Sequence, residues 1–380
     1  MEKAKLGEIA SYINGFAFKP SDWSDEGLPI IRIQDLTGNS YQANRYNGIY
    51  LPKYEVNDGD VLISWSASLG VYVWHGEKAV LNQHIFKVVF DKADVDKSFF
   101  VHQVQNILEN AASEAHGATM KHLTKPVFDA LPFYLPSLEK QKEIAVILDK
   151  VSKLRALRKA QIAKLDQLIK SRFVELFGNM LLNEMEWDEA PLESLADVVS
   201  GITKGRKVRE TDLIEVPYMA VSNVKDGYID WTTVKTIMAT KQEIEQYRLL
   251  PYDVLMTEGG DPDKLGRGAV IAAPLENSIH QNHIFRVRLQ TEKILPVFFS
   301  EYLQHQKAKL YFIRSAKQTT GIASINMKQL RALPVLVPPI DLQKQFATFV
   351  EQTDKSKSAI QQSLGKLELL KKSLMQEYFG

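Results

Sequence analysis

From Glu139 to Phe177 the chain carries neither Pro nor Gly, and apolar residues recur at three- and four-residue steps: Ile144, Ile147, Val151, Leu154, Leu165, Leu168 and Ile169. That spacing lines one face of a helix and excludes a strand. At 1.5 Å per residue the helix would be roughly 58 Å long. Pro132 and Pro136 bar an earlier start, and Gly178 stands where the helix should end. The same object returns between Asp341 and Phe379, behind Pro334, Pro338 and Pro339 and before Gly380. The two copies keep a constant register: Leu131 and Pro132 match Leu333 and Pro334, Gln141 and Lys142 match Gln343 and Lys344, Lys164 and Leu165 match Lys366 and Leu367, and Phe177 and Gly178 match Phe379 and Gly380. A globular segment between them lets the chain turn back. The expectation is therefore an antiparallel pair burying Ile144, Val151, Leu165, Phe346, Ile360, Leu367 and Leu374.

The segments before each helix repeat as well. Leu6 to Ala10 leads to Gly15, then to a strand at Pro29–Ile33, a turn at Gln34–Gly38 and a strand at Val61–Ser64. A loop of small residues, Ser66 to Gly70, precedes a strand at Val71–Trp74, and Asn82-Gln83-His84 precedes a strand at Ile85–Phe90. A helical patch near residues 97–110 follows. The later segment replays the order: Leu192 to Ala196, Gly201, Pro217 to Val221, Asp253 to Thr257, a Gly-rich loop from Glu258 to Gly266, and Gln281-Asn282-His283. The second copy inverts the Asn-Gln order, and its loop is longer. Two units are too few for a solenoid, so pseudo-twofold symmetry is expected. The divisions read as 1–138, 139–178, 179–340 and 341–380.

With 380 residues and 45% hydrophobic content the chain can build more than one core. It has no Cys, which removes disulfides and thiolate metal sites and fits a reducing cytosol. The N-terminal stretch lacks the apolar core of a signal peptide and no apolar run reaches membrane-span length, so a soluble, cytoplasmic chain with no membrane contact is expected. Net charge is only +1. The central helix is basic, whereas both globular segments are slightly acidic, so any affinity for nucleic acid must come from local patches or partners.

Glycine and serine in a loop allow close backbone approach to a groove or a phosphate. On that ground Ser64, Ser66, Ser68 and Gly70 in the first copy, and Thr257, Gly259, Gly260, Lys264 and Arg267 in the second, are candidate contacts, with Arg32 beside the first. Asn82, Gln83, Gln281 and Asn282 can bond adenine edges, but each pair immediately precedes a strand and can equally tie down neighbouring loops. Lys204, Arg206 and Lys207 form the densest basic cluster, suited to phosphates. Lys121, Thr319 and Thr320 lie before the helices as weaker backbone contacts. No carboxylate or further histidine stands at ligand spacing from His84 or His283, so no metal site is expected.

This duplicated order resembles the specificity subunit of type I restriction–modification systems, over nearly the whole chain. The resemblance implies an α/β (α+β) fold: two pseudo-symmetric target-recognition domains separated by two long helices that form an antiparallel coiled coil. It also implies a non-catalytic subunit that reads an asymmetric, bipartite double-stranded DNA target, one half-site per domain. Two adenine-N6 methyltransferase subunits and the restriction (translocase) subunits would be its partners. S-adenosylmethionine, ATP and Mg would reside on those partners, with no cofactor on this chain. No catalytic constellation is found: Val337-Pro338-Pro339-Ile340 lacks the polar amide and aromatic of an adenine methyltransferase motif, and no phosphate-binding loop or nuclease cluster is present. Two other readings stay open, a coiled-coil scaffold binding protein and a free-standing sequence-specific DNA binder.

Overall fold

A computed structural model describes the chain except residues 1–2, 40–43, 67, 115–123, 208–211, 261–264 and 320–321. Two compact units emerge, Met1–Ala160 with Gln361–Gly380, and Gln161–Ile360. Each unit contains one half of each long helix.

In the first unit, Lys3–Lys5 pairs antiparallel with Pro132–Tyr134, which brings the start of the segment beside the root of the central helix. An antiparallel sheet has the order Ser11–Asn14, Ile85–Val89, Val61–Ser64, Gly70–Val73. A second sheet holds Leu28–Ile31 parallel to Ala79–Leu81. The strand expected through Ile33 stops at Ile31. Ile33–Leu36 is a helical turn instead, because the Asp35 carboxylate accepts the Arg32 N–H at 2.8 Å.

The second unit repeats this topology. Its corresponding sheet is Ala196–Ser200, Ile284–Leu289, Val254–Thr257, Gly268–Val270, and Ile214–Met219 runs parallel to Ile279–His280. Glu189–Pro191 pairs with Pro334–Leu336 as the outer ribbon. In both units the central strand is buried on both faces. Val61 and Ile63 enter one core and Leu62 another; Val254 and Met256 enter one core and Leu255 another. Such strands read as continuous apolar runs.

The long helices span Leu138–Phe177 and Ile340–Phe379, 40 residues each. Gly178 ends the first with a left-handed backbone, φ 72°, and its N–H bonds to the Val174 carbonyl at 2.8 Å. Within the first unit Arg155 meets Glu368, while Ile144 and Leu148 share a core with Met375, Leu374 and Phe379. Low numbers face high ones, so the halves run antiparallel. Within the second unit Lys357 meets Asp166, and Phe346 packs on Phe173 and Phe177, again antiparallel. The ion pairs Arg155–Glu368 and Asp166–Lys357 are images of each other in the repeat register.

Burial along the pair is uneven. Ile144, Val151 and Phe346 are buried, whereas Leu165, Ile360, Leu367 and Leu374 are only half-buried. Ile147, Leu154 and Leu168, which the spacing placed on the apolar face, are exposed. Two helices cover only a narrow arc of each other, so an apolar stripe wider than the contact stays partly in solvent. Full burial comes where a domain supplies a third wall: Phe173 stacks on Phe298 at 5.4 Å, and Phe379 meets Phe99 at 5.4 Å.

Gln141 and Gln343 fasten the helices to their domains in the same way. The Gln141 amide donates to the Pro136 and Asp94 carbonyls and accepts from the Asp96 N–H. Gln343 donates to the Pro338 and Lys293 carbonyls and accepts from the Leu295 N–H. Among the described residues no helix is long and apolar enough to cross a membrane.

Candidate nucleic-acid interface

In the second unit Gly201 packs against the backbone of His280 and Gln281 so closely that a Cβ would overlap the His280 carbonyl. That approach lets the Ile202 N–H bond to the His280 carbonyl at 3.0 Å and the Asn282 N–H bond to the Ile202 carbonyl at 3.0 Å. The chain leaving Ile202 carries Lys204 and Lys207, both exposed. Arg206 does not join them. Its guanidinium forms a two-nitrogen ion pair with Glu243 and also donates to the Met238 carbonyl, so it clamps the segment to the domain instead of offering a free charge to phosphate. That hydrogen-bonded pairing raises the Arg206 pKa and holds the Glu243 carboxyl below its ordinary range. Glu243 also completes the capping box of the helix Lys241–Tyr247, accepting the Thr240 N–H at 2.9 Å.

The Gly-rich segment lies alongside. Gly259 and Gly260 pair antiparallel with Ser324 and Ala323, and Lys317–Thr319 continues that small sheet. The Glu258 N–H bonds to the His283 carbonyl at 3.0 Å, and the Glu258 carboxylate meets His283 Nδ1 at 2.6 Å. His283 Nε2 in turn faces Asn282 Nδ2 at 3.3 Å. The structure thus brings Gly259, Gly260, Gln281, Asn282 and the Lys317–Thr319 strand together, and Lys204 and Lys207 follow in the chain two and five residues after Ile202, which bonds to Asn282. Gln281 accepts the Val221 N–H at 3.4 Å, a loop tie at the long limit for such a bond.

The first unit builds the same frame. Gly15 is pressed against the Asn82 carbonyl, the Phe16 N–H bonds to the Leu81 carbonyl at 2.8 Å and the Gln83 N–H to the Phe16 carbonyl at 2.8 Å. Asn82 Oδ1 accepts the Gln83 N–H at 2.9 Å, so that amide is at least partly spent on its own loop. Arg32 adjoins through the Asn82 N–H to Ile31 carbonyl bond; its guanidinium pairs with Asp35 at 3.5 Å and lies 5.9 Å over the Trp23 ring. Trp65 occupies the place of Glu258, its N–H bonded to the His84 carbonyl at 3.3 Å. The indole stacks on Phe86 at 5.6 Å, meets His84 edge-on at 4.9 Å and donates to Asn14 Oδ1.

Three candidates are corrected by burial. Ser64 and Thr257 end the doubly covered central strands and face the interior, and Ser66 is buried beside Ser64, whose hydroxyl donates to the Ser66 carbonyl at 3.1 Å. None of the three side chains is placed to reach a base. Ser68 is exposed, Gly70 is buried as the first residue of its strand, and Arg267 is half-buried with its carbonyl accepting the Thr257 N–H. Lys121, Lys264 and Thr320 lie outside the described residues, as does the side chain of Thr319. Among the described residues no cluster of three His, Asp or Glu could hold a metal ion.

Sequence reasoning overlooked the Trp65 and Glu258 position and an aromatic group in the first unit, where exposed Phe16 meets half-buried Phe18 at 5.0 Å and Tyr54 at 5.6 Å. Aligning the two copies residue by residue after the central strand exposes the first; the second needs the fold, because its members are scattered along the chain.

The family model "Type I restriction modification DNA specificity domain" matches residues 1–167 and again residues 184–371. The EcoBI specificity subunit of Escherichia coli is 24% identical over 99% of this chain and 85% of its own length. The EcoKI specificity subunit of E. coli K12 is 21% identical over 99% of this chain and 88% of its own. The crystal structure of a type I restriction–modification S subunit from M. genitalium superposes with a TM-score of 0.58 at 15% identity, covering 100% of this chain and 96% of that one. With the matched domain present twice over two units of equal topology, the chain belongs to the type I restriction–modification DNA specificity subunit family.

Proposed function

We propose that this chain is the non-catalytic sequence-reading subunit of a type I restriction–modification complex. Each domain reads one half of an asymmetric, bipartite DNA target, and the helix pair sets the spacing between the readers. The observation that carries this is the double match of the specificity-domain model, on two units whose shared frame carries different residues at the same place. Equal frames with unequal surfaces suit unequal half-sites. The complex works in the cytoplasm, and the chain recruits two adenine-N6 methyltransferase subunits and, where present, the restriction translocase. S-adenosylmethionine, ATP and Mg act on those partners. Exposed Val146, Ile147, Leu154 and Leu157 on the central helix give the partners an apolar surface to cover.

Co-expression with its methyltransferase partner, followed by sequencing of methylated adenines, tests the reading. A split, asymmetric methylated motif is expected; a palindromic motif, or none despite an assembled complex, refutes it. Lys204→Ala with Lys207→Ala should weaken the complex on all DNA sequences alike. The slope of log affinity against log salt should fall by roughly 0.9 for each phosphate that the variant no longer neutralises.

A further inference from the structure

We infer that the residue directly after the buried end of each central strand, Trp65 in the first domain and Glu258 in the second, decides which base is accepted at one position of its half-site. This rests on the DNA-reading function proposed above. The two positions are equivalent by three observations. Each follows a buried hydroxyl residue, Ser64 or Thr257. Each donates its backbone N–H to the carbonyl of the histidine that ends the amide motif, His84 or His283. Each sends its side chain back to that same histidine. The frame is fixed and only the chemistry differs.

At Glu258 the donor and acceptor pattern is defined. Facing a carboxylate, His283 Nδ1 donates to Glu258 Oε2 at 2.6 Å, while Nε2 lies 3.3 Å from Asn282 Nδ2. The imidazole holds Glu258 Oε2, while Oε1 has no hydrogen-bond partner among the described residues and the side chain is one-third exposed. A carboxylate oxygen so presented takes a hydrogen bond from the exocyclic amino group of cytosine or adenine, and repels the O6 of guanine and the O4 of thymine. Trp65 cannot make that choice. Its only donor is occupied by Asn14, and its ring offers apolar surface, which favours the methyl group of thymine. His283 acts as a positioning residue for Glu258.

The test uses the complex assembled with its methyltransferase partners and reads the methylated motif. Glu258→Gln keeps the size but adds a donor. One position of the second half-site should lose its preference for an amino-bearing base by about tenfold or more, with the first half-site unchanged. His283→Ala should relax the same position, and Trp65→Glu should alter one position of the first half-site only. Glu258→Ala gives the same readout if the Gln variant assembles poorly. A wild-type motif in the Glu258 variants, or equal weakening on all sequences, overturns the inference. Absence of any split motif for the wild-type complex would instead count against the function itself.

Discussion

Replacing Gln343 with Ala removes one side chain that joins a long helix to its domain. The amide is fully buried and makes three hydrogen bonds, to the Pro338 carbonyl at 2.7 Å, the Lys293 carbonyl at 3.0 Å and from the Leu295 N–H at 2.8 Å. Three bonds at about 1 kcal/mol net each, with the part-buried Leu295 N–H left unpaired at about 1 kcal/mol more, give a loss of about 4 kcal/mol. In a unit of about 200 residues each kcal/mol moves the unfolding midpoint by about 2–4 °C, so a fall of roughly 10 °C is expected. Differential scanning calorimetry of the full chain reads it, and hydrogen exchange locates it at the Leu295 amide. Gln141→Ala should behave alike in the other unit, because its three bonds are the same. The neighbouring Lys344 is exposed, and its replacement by Ala should stay within about 0.5 kcal/mol of the parent. If Gln343→Ala and Lys344→Ala shift the midpoint equally, the pinning argument fails.

Gly201→Ala should force the His280 carbonyl away, destabilising the second unit by about 1–3 kcal/mol, and exchange at the Ile202 and Asn282 amides should quicken; unchanged exchange would contradict the close approach. Phe346→Ala, in a full aromatic cluster, should cost about 3–5 kcal/mol, and half-buried Leu367→Ala less than about 2 kcal/mol, in denaturant unfolding; the reverse ranking would misplace the seam. Desolvation by burial holds the His280 pKa down to about 4, against 6.5 when free, and outweighs the raising effect of the Val199 and Tyr247 carbonyls. The unfolded chain protonates first as pH falls, so the stability tied to neutral His280 is complete above about 6.5 and drains away between there and about 4. Its ring resonances should report a neutral imidazole at pH 5.5 by NMR, and a charged ring there would reverse the sign.

Local sequence determined what local physics controls. The three- and four-residue apolar spacing, the prolines before and the glycine after are enough to draw both 40-residue helices to within a residue at their N-termini, since a helix is built from contacts between near neighbours. The repeat register was equally legible, and it marked Gly15 and Gly201 before any reason for them was visible. Tertiary structure decided the rest. Whether Ser64 and Thr257 face DNA or a core depends on two layers packing over their strands from distant parts of the chain. Arg206 looks like a phosphate ligand until Glu243, 37 residues away, takes its guanidinium. Trp65 and Glu258 gain meaning only from the histidines that long-range strand pairing lays against them. Which leucines of the helix pair are buried likewise depends on where a third surface arrives, because burial is a property of all the neighbours and spacing specifies only one face.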